Sequence, residues 1–178
     1  MMAVENAAGN TRTETGATAL RIAFGVAWAI DAWLKWQPGF RATMLPSMVA
    51  TAQGQAQWLR PWFDVWIHLM RPAPGLWVDL VALTETTIAV LLLTGLARRA
   101  VYLGGALYSL SIWSTAEGFG GPYTATAGAT DVGTSIIYVL VFLALLVKLE
   151  HGLDRRLALD IPIARRVPWW HLVAGPSV

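Results

Sequence analysis

Two apolar segments of the chain are joined by the sequence WSTAEGFGGPY at Trp113–Tyr123, which is followed, after a bridge of small residues, by DVGT at Asp131–Thr134. The glycines and the proline within Gly118–Pro122 permit sharp backbone turns. Glu117 and Asp131 therefore flank a loop that contains no lysine or arginine to neutralise them. An acidic pair at the mouth of an apolar helix bundle is the clearest functional indication in the sequence.

The composition of the 178 residues is typical of a membrane protein. Hydrophobic residues make up 56% of the chain and charged residues 13%, whereas soluble domains are roughly 45–50% apolar and about 25% charged. Ten tryptophans agree with this, because indole rings favour the membrane–water interface. The absence of cysteine excludes disulfides, iron–sulfur clusters and covalently attached c-type haem. No basic stripe with interleaved aromatics is present, so a nucleic-acid partner is not expected.

Four apolar segments predict an all-α integral membrane protein, a four-transmembrane-helix bundle with an interfacial helical segment between helices 1 and 2. Each segment approaches the ~20 residues that cross the hydrocarbon core of a bilayer. The predicted spans are residues 16–36, 75–97, 100–116 and 132–149. Residues 1–15 and the basic residues 150–178 are expected to be cytoplasmic tails. Arg21, near the start of the first span, is expected to snorkel to the inner surface.

Residues 40–73 predict outer interfacial helices. Apolar side chains from Leu45 to Leu59 recur at helical spacing, opposed by Gln53, Gln55 and Gln57, which predicts an amphipathic helix on the membrane surface. Pro61 then begins a second short helix. A stripe of large side chains at i,i+4 spacing runs across the junction of the two helices, and it favours anchoring at the interface over ligand binding. Its members are Trp58, Trp62, Trp66 and Met70.

The distribution of lysine and arginine predicts the orientation in the membrane. Arg98 and Arg99 separate the second and third spans, and basic residues are dense after Leu149, but the loop between the third and fourth spans has none. Cytoplasmic loops carry the excess of positive charge in membrane proteins. The sequence therefore predicts a multi-pass protein of the inner cell membrane, with both termini in the cytoplasm and the Glu117–Asp131 loop outside.

Several sequence blocks resemble the DoxX/DoxD superfamily of small four-helix membrane proteins. They are LTE at Leu83–Glu85, LLTGLARR at Leu92–Arg99, and EGFGGPY and GATDVGT within Glu117–Thr134, which leads into Tyr138. The last block is most similar to the DoxD branch, the small subunit of a thiosulfate:quinone oxidoreductase. The resemblance covers roughly residues 17–149. It implies a membrane subunit of a quinone-linked oxidoreductase, with quinone as cofactor and a partner subunit.

Carboxylates in the outer half of the bundle are the candidate catalytic residues, because burying an ionised acid in lipid is costly unless it has a function or a partner. They are Glu85, Glu117, Asp131 and Asp31. Aromatic residues are expected to line an outward-opening cavity among them and to hold a quinone head group. They are Trp28, Trp33, Trp113, Tyr108, Tyr123 and Tyr138. A structural interpretation stays open beside this one, in which Asp31 pairs with Lys35 and Glu85 bonds to nearby Thr, Ser or Tyr residues.

No transition-metal site is predicted, since tightly bound transition metals prefer His or Cys ligands and only His68 is placed near the acids. A hard-cation site formed by Asp31, Glu117 and Asp131 stays open. Haem is not expected either, because the spans hold no pair of histidines to serve as axial ligands. Two functions remain open. The chain is either a membrane subunit of a quinone-linked oxidoreductase or a non-catalytic membrane anchor or assembly partner for an extracytoplasmic enzyme. Both imply contact with membrane lipid and a protein partner.

Overall fold

The computed structural model describes residues 2–121 and 132–176, and every regular element in these two ranges is helical. The α-helices of this part of the chain are α1 (Met2–Lys35), α2 (Pro38–Gln53), α3 (Arg60–Met70), α4 (Pro74–Thr94), α5 (Arg98–Ser114), α6 (Thr134–Glu150), α7 (Asp160–Ala164) and α8 (His171–Ala174). Single 3₁₀ turns occur at Gln57–Leu59, Gly118–Gly120 and Pro168–Trp170.

Helices α1, α4, α5 and α6 coincide with the four predicted spans, and they pack mainly as the pairs α1–α4 and α5–α6. Within the described ranges, two segments are long and apolar enough to cross a membrane, Thr13–Lys35 of α1 and the whole of α4. Helices α5 and α6 have 17 residues each, the lower end of the range that spans a bilayer, so their crossing stays a prediction. Helix α1 begins at Met2, and residues 2–15 therefore extend the first helix.

The four long helices present large apolar side chains on their outer faces. Ile30 of α1 is 57% exposed, Leu83 of α4 57%, Leu107 of α5 69% and Leu140 of α6 62%. Soluble monomers rarely leave contiguous apolar patches of this kind uncovered. The exposure of all four helices is the pattern expected of a bundle whose outer surface contacts lipid.

Aromatic residues fill the middle of the bundle. Phe24 lies edge-on to Phe142, with 4.8 Å between the ring centroids, and Trp28 packs against both rings. A Cβ atom placed on Gly105 would lie 2.3 Å from the Phe142 ring. Because glycine leaves room that no other residue would leave, α5 and α6 approach closely enough to seat this ring between them.

The C-terminal segment folds back over one end of the bundle and is held there by buried ion pairs. Arg21 Nε lies 3.1 Å from Asp154 Oδ1, and Tyr102 donates to the other oxygen of Asp154. Arg98 Nε lies 2.9 Å from Asp160 Oδ2. Both arginines are fully buried. The expectation that Arg21 snorkels to the surface was therefore wrong, because the segment after α6 supplies a carboxylate that the first helix alone does not show.

Helices α2 and α3 cover the opposite end of the bundle, where their apolar faces meet around Met48, Phe63 and Ile67. The two helices of this region were predicted, but the first of them is shorter than the amphipathic pattern from Leu45 to Leu59 indicates. Helix α2 ends at Gln53, and Gln55, expected on the polar face, is only 7% exposed. Gln55 packs against the Gly118 turn instead, because the loop after α5 folds onto the end of α2.

Neighbouring glycines in α5 provide a matched test of the packing. Gly105→Ala should lower the free energy of unfolding by about 1–3 kcal/mol, since the new methyl group overlaps the Phe142 ring. Gly104→Ala should raise it by roughly 0.5–1 kcal/mol, because nothing lies within 4 Å of that Cβ position and alanine favours the helix. Thermal unfolding in detergent measures both. Equal effects of the two substitutions would contradict the close α5–α6 approach.

Candidate functional site

A cavity of about 530 Å³ opens at the end of the bundle that α2 and α3 cover. Its polar lining comes from Asp31, Lys35, Thr43, Ser47, Glu85, Ser111, Thr115, Glu117, Thr134 and Ser135. Its apolar lining comes from Trp28, Phe40, Met44, Met48, Trp66, Met70, Trp77, Val81, Tyr108, Ile112, Ala116 and Tyr138. The volume falls in the range of roughly 300–1,000 Å³ that is usual for small-molecule sites. Such sites also usually have a mainly apolar wall with a few polar groups, as this cavity does.

Glu85 is the most deeply buried carboxylate of this cavity, with 2% of its surface exposed. Lys35 Nζ lies 3.4 Å from its Oε2 atom, and the Tyr108 hydroxyl donates to Oε1 at 3.3 Å. A buried carboxylate needs such a counter-charge and donor, because transfer of an unpaired charge out of water costs several kcal/mol. The predicted hydrogen bond between Glu85 and a tyrosine neighbour is confirmed, with the Tyr108 hydroxyl as the donor.

Asp31 accepts a hydrogen bond from the Tyr138 hydroxyl at 3.3 Å. The expected ion pair between Asp31 and Lys35 was wrong, since the ammonium group of Lys35 reaches across to Glu85 on α4. Lys35 also lies over the Phe40 ring, 5.2 Å from its centroid, a position in which an aromatic face stabilises a cation. Each of the two deep carboxylates is thus bonded to one tyrosine of the cavity wall.

Glu117 lies at the rim of the cavity and caps the start of α6. Its two oxygens accept from the Ser135 backbone N–H at 3.1 and 3.0 Å, and the Ser135 hydroxyl donates to Oε1 at 2.8 Å. Trp113 Nε1 donates to the Val132 carbonyl oxygen at 2.7 Å just beside it. A carboxylate at a helix N-terminus satisfies free N–H groups and interacts favourably with the helix dipole.

The predicted aromatic residues divide into two groups. Trp28, Tyr108 and Tyr138 line the cavity, and the Trp28 ring packs against both tyrosines at centroid distances of 6.0 and 5.5 Å. Trp33 is 61% exposed on the outside of α1 and does not line the cavity. Trp113 fixes the loop backbone at Val132.

Two further predicted site residues, Asp131 and Tyr123, lie outside the described residues. The expected pairing of Asp131 with Glu117 at the mouth of the bundle therefore stays a prediction.

Residues of α2 and α3 that the sequence assigned to the membrane surface also contribute to the wall. Trp66 and Met70 line the cavity, although the stripe to which they belong favoured interfacial anchoring. Trp62, in contrast, is 41% exposed and donates through Nε1 to the Ser114 carbonyl oxygen at 2.9 Å. The i,i+4 spacing of Trp66 and Met70 marked one face of a helix, but only the fold shows that this face turns toward the bundle.

The model of the DoxX family matches residues 16–118, more than half of the chain. The chain belongs to the DoxX family. No curated protein and no solved structure matches it. Membership of the DoxX family and the apolar helices together indicate a membrane protein that contacts lipid.

The match to the DoxX family covers most, but not all, of the cavity. Asp31, Lys35, Glu85 and Glu117 fall within it, while the groups that α6 contributes, Ser135 and Tyr138 among them, lie beyond Gly118. Helix α6 nevertheless completes the site, because it supplies the Tyr138 hydroxyl that bonds to Asp31 and the Ser135 N–H and hydroxyl groups that hold Glu117.

The role of Glu117 in holding α6 gives a stability prediction. Glu117→Ala should lower the free energy of unfolding by about 0.5–2 kcal/mol, the range for loss of a helix cap. Glu150→Ala is the matched control, since Glu150 lies at the other end of the same helix in a partly exposed pair with Arg99 of the kind worth only about 0–1 kcal/mol. The check is a comparison of melting temperatures in one detergent. A loss no larger than that of the control would show that the cap is not formed.

Proposed function

We propose that the chain is the membrane subunit of a quinone-linked oxidoreductase, similar to the small subunit of thiosulfate:quinone oxidoreductases, and that its cavity holds the quinone head group. Membership of the DoxX family and the similarity of the Glu117–Thr134 block to the DoxD branch support this proposal. The observation that carries it is the buried Glu85 carboxylate, which pairs with the partly exposed Lys35 and bonds to Tyr108 in the wall of a cavity that aromatic rings line in part.

The residues of the cavity fit a quinone in size and in chemistry. The ring is flat and apolar on both faces, which suits walls built from Trp28, Tyr108 and Tyr138. Its carbonyl oxygens accept hydrogen bonds, and Lys35 and the tyrosine hydroxyls are donors. When bound, a quinone accepts two electrons and two protons to become a quinol. Glu85 and Asp31 are the groups that we assign to hold and pass those protons, with Tyr108 and Tyr138 as their bonded neighbours.

The orientation that we propose puts the cavity on the extracytoplasmic side of the inner membrane and both termini in the cytoplasm. The basic residues support it by their position in the fold. Arg98, Arg155 and Arg165 lie in or near the C-terminal segment that covers the closed end of the bundle. The described loops at the cavity end after α5 carry no lysine or arginine. Protons taken up during quinone reduction would then enter the cavity from the outer side.

The second function, a non-catalytic membrane anchor or assembly partner for an extracytoplasmic enzyme, is favoured by one observation. All of the bonds that Glu117 makes with Ser135 fix the start of α6, so one of the candidate catalytic acids already has a structural role. Organic extraction of the purified protein, followed by mass spectrometry, separates the two functions. Bound quinone supports the oxidoreductase subunit, whereas a stoichiometric protein partner without any quinone supports the anchor.

Single cysteines test the orientation, because the natural chain contains none. With Asn10→Cys and Gly120→Cys made separately, a membrane-impermeant maleimide added to intact cells should label only the Gly120 variant. Permeabilised cells supply the control, in which both variants should react. Labelling at position 10 with protection at position 120 would reverse the orientation and with it the outward cavity.

Glu85→Gln tests the proton-handling role. The amide keeps the size of the side chain and its hydrogen bond with Tyr108 but cannot exchange a proton, so thiosulfate-dependent reduction of a short-chain benzoquinone by membranes should fall by roughly an order of magnitude or more. Glu117→Gln should act in the same direction but more weakly, since Glu117 is at the rim. Glu150→Gln is the control. Unchanged turnover in Glu85→Gln together with a lower melting temperature would select a structural carboxylate in an anchor protein.

A further inference from the structure

A second hollow, of about 390 Å³, lies on the outside of the bundle between α4 and α5. Its wall is largely apolar, and representative residues are Leu83, Thr87 and Leu91 on α4 and Ala100, Gly104 and Tyr108 on α5. We call it the α4–α5 groove. Gly104 creates much of its depth, because nothing lies within 4 Å of the place where a Cβ atom would stand. Leu83, at its edge, is 57% exposed, so the groove faces the surroundings of the bundle.

Tyr108 connects this groove with the cavity, because its side chain lines both. Its hydroxyl bonds to Glu85 Oε1 at 3.3 Å on the cavity side. The α4–α5 groove and the cavity therefore meet at Tyr108, whose hydroxyl bonds to the buried carboxylate of the cavity.

Resting on the proposed function, we propose that the apolar tail of a lipid-soluble quinone lies in the α4–α5 groove and enters the cavity past Tyr108. At about 530 Å³, the cavity can hold a head group but not the whole of a long isoprenoid tail in addition. The rest of the tail has to stay out of water, since exposure of apolar surface to water is unfavourable. The groove offers an apolar surface that starts at the head-group site and is open to lipid. The substrate class is thus a long-tailed membrane quinone that enters laterally.

Photo-crosslinking tests where the tail lies. The probe is a benzoquinone with an alkyl tail that carries a diazirine, added to the full-length protein in lipid nanodiscs, together with any subunit that co-purifies. Cross-links mapped by mass spectrometry should fall within residues 83–91 and 100–108. An excess of the same quinone without a tail should suppress them, because displacement of the head group releases the tail.

A variant that fills the groove sharpens the test. Gly104→Leu should weaken binding of the tailed quinone about tenfold, the cost of overpacking a filled site, and should leave binding of the tailless quinone unchanged. Gly16→Leu is the matched control, since Gly16 is also a helical glycine with nothing within 4 Å of its Cβ position. Ala100→Leu provides a second route to filling the groove if Gly104→Leu does not fold.

Each other outcome contradicts the inference in a distinct way. Cross-links at Phe40, Met44 or Trp77 would place the tail under α2 instead. Cross-links in the groove that the tailless quinone does not suppress would mean that it holds bulk lipid only. A change of oligomeric mass in Gly104→Leu, with no change in tail preference, would make the groove a contact between helices. If the tailless quinone does not bind even to the natural protein, the proposed function fails first and the inference fails with it.

Discussion

Burial of charge in an apolar bundle is the constraint on which the rest of this structure depends. At the cavity end, Glu85 is held by Lys35 and Tyr108; at the closed end, Asp154 is held by Arg21 and Tyr102. Removal of one partner from such a buried set leaves an uncompensated charge, which typically costs about 3–5 kcal/mol. Alternative registers of the helices would separate these partners. The pairs therefore select one packing arrangement of the helices among the many that apolar helix faces alone would allow.

The two ends of the bundle use this constraint differently. At the closed end, Asp160 makes four hydrogen bonds: it accepts from the Ala97 and Arg98 backbone N–H groups, from the Arg98 side chain and from Trp170. At the cavity end, Glu85 and Asp31 have fewer bonds and face an open space. Partly satisfied polar groups beside a cavity can bond to a ligand at little cost, because few internal bonds must break first. This asymmetry distinguishes a structural end from a candidate site.

Local pattern was enough to predict the helices, because hydropathy and length act on neighbouring residues. The predicted segments 75–97, 100–116 and 132–149 agree with the bounds of α4, α5 and α6 to within three residues, whereas α1 begins 14 residues before the predicted start at residue 16. Glu85, Glu117 and Asp31 could be predicted as site residues for the same reason, since an acid in an apolar run stands out. Their partners could not. Arg21 and Asp154 are 133 positions apart, and the reach of Lys35 to α4 rather than to Asp31 depends on how two helices face each other.

The tyrosines link the structural and the chemical roles of the cavity acids. Tyr108 and Tyr138 donate to Glu85 and Asp31 respectively, and the Trp28 ring lies between and against both. The tyrosine hydroxyl that donates to one oxygen of each carboxylate restrains the rotamer of that acid. The other oxygen of the same carboxylate is thereby kept in a defined position. A carboxylate that is oriented by a fixed donor can exchange a proton at one known atom without first reorganising, which is the condition for efficient proton transfer in an apolar site. The same bonds that stabilise the acids in the bundle would therefore, under the proposed function, also prepare them for proton exchange.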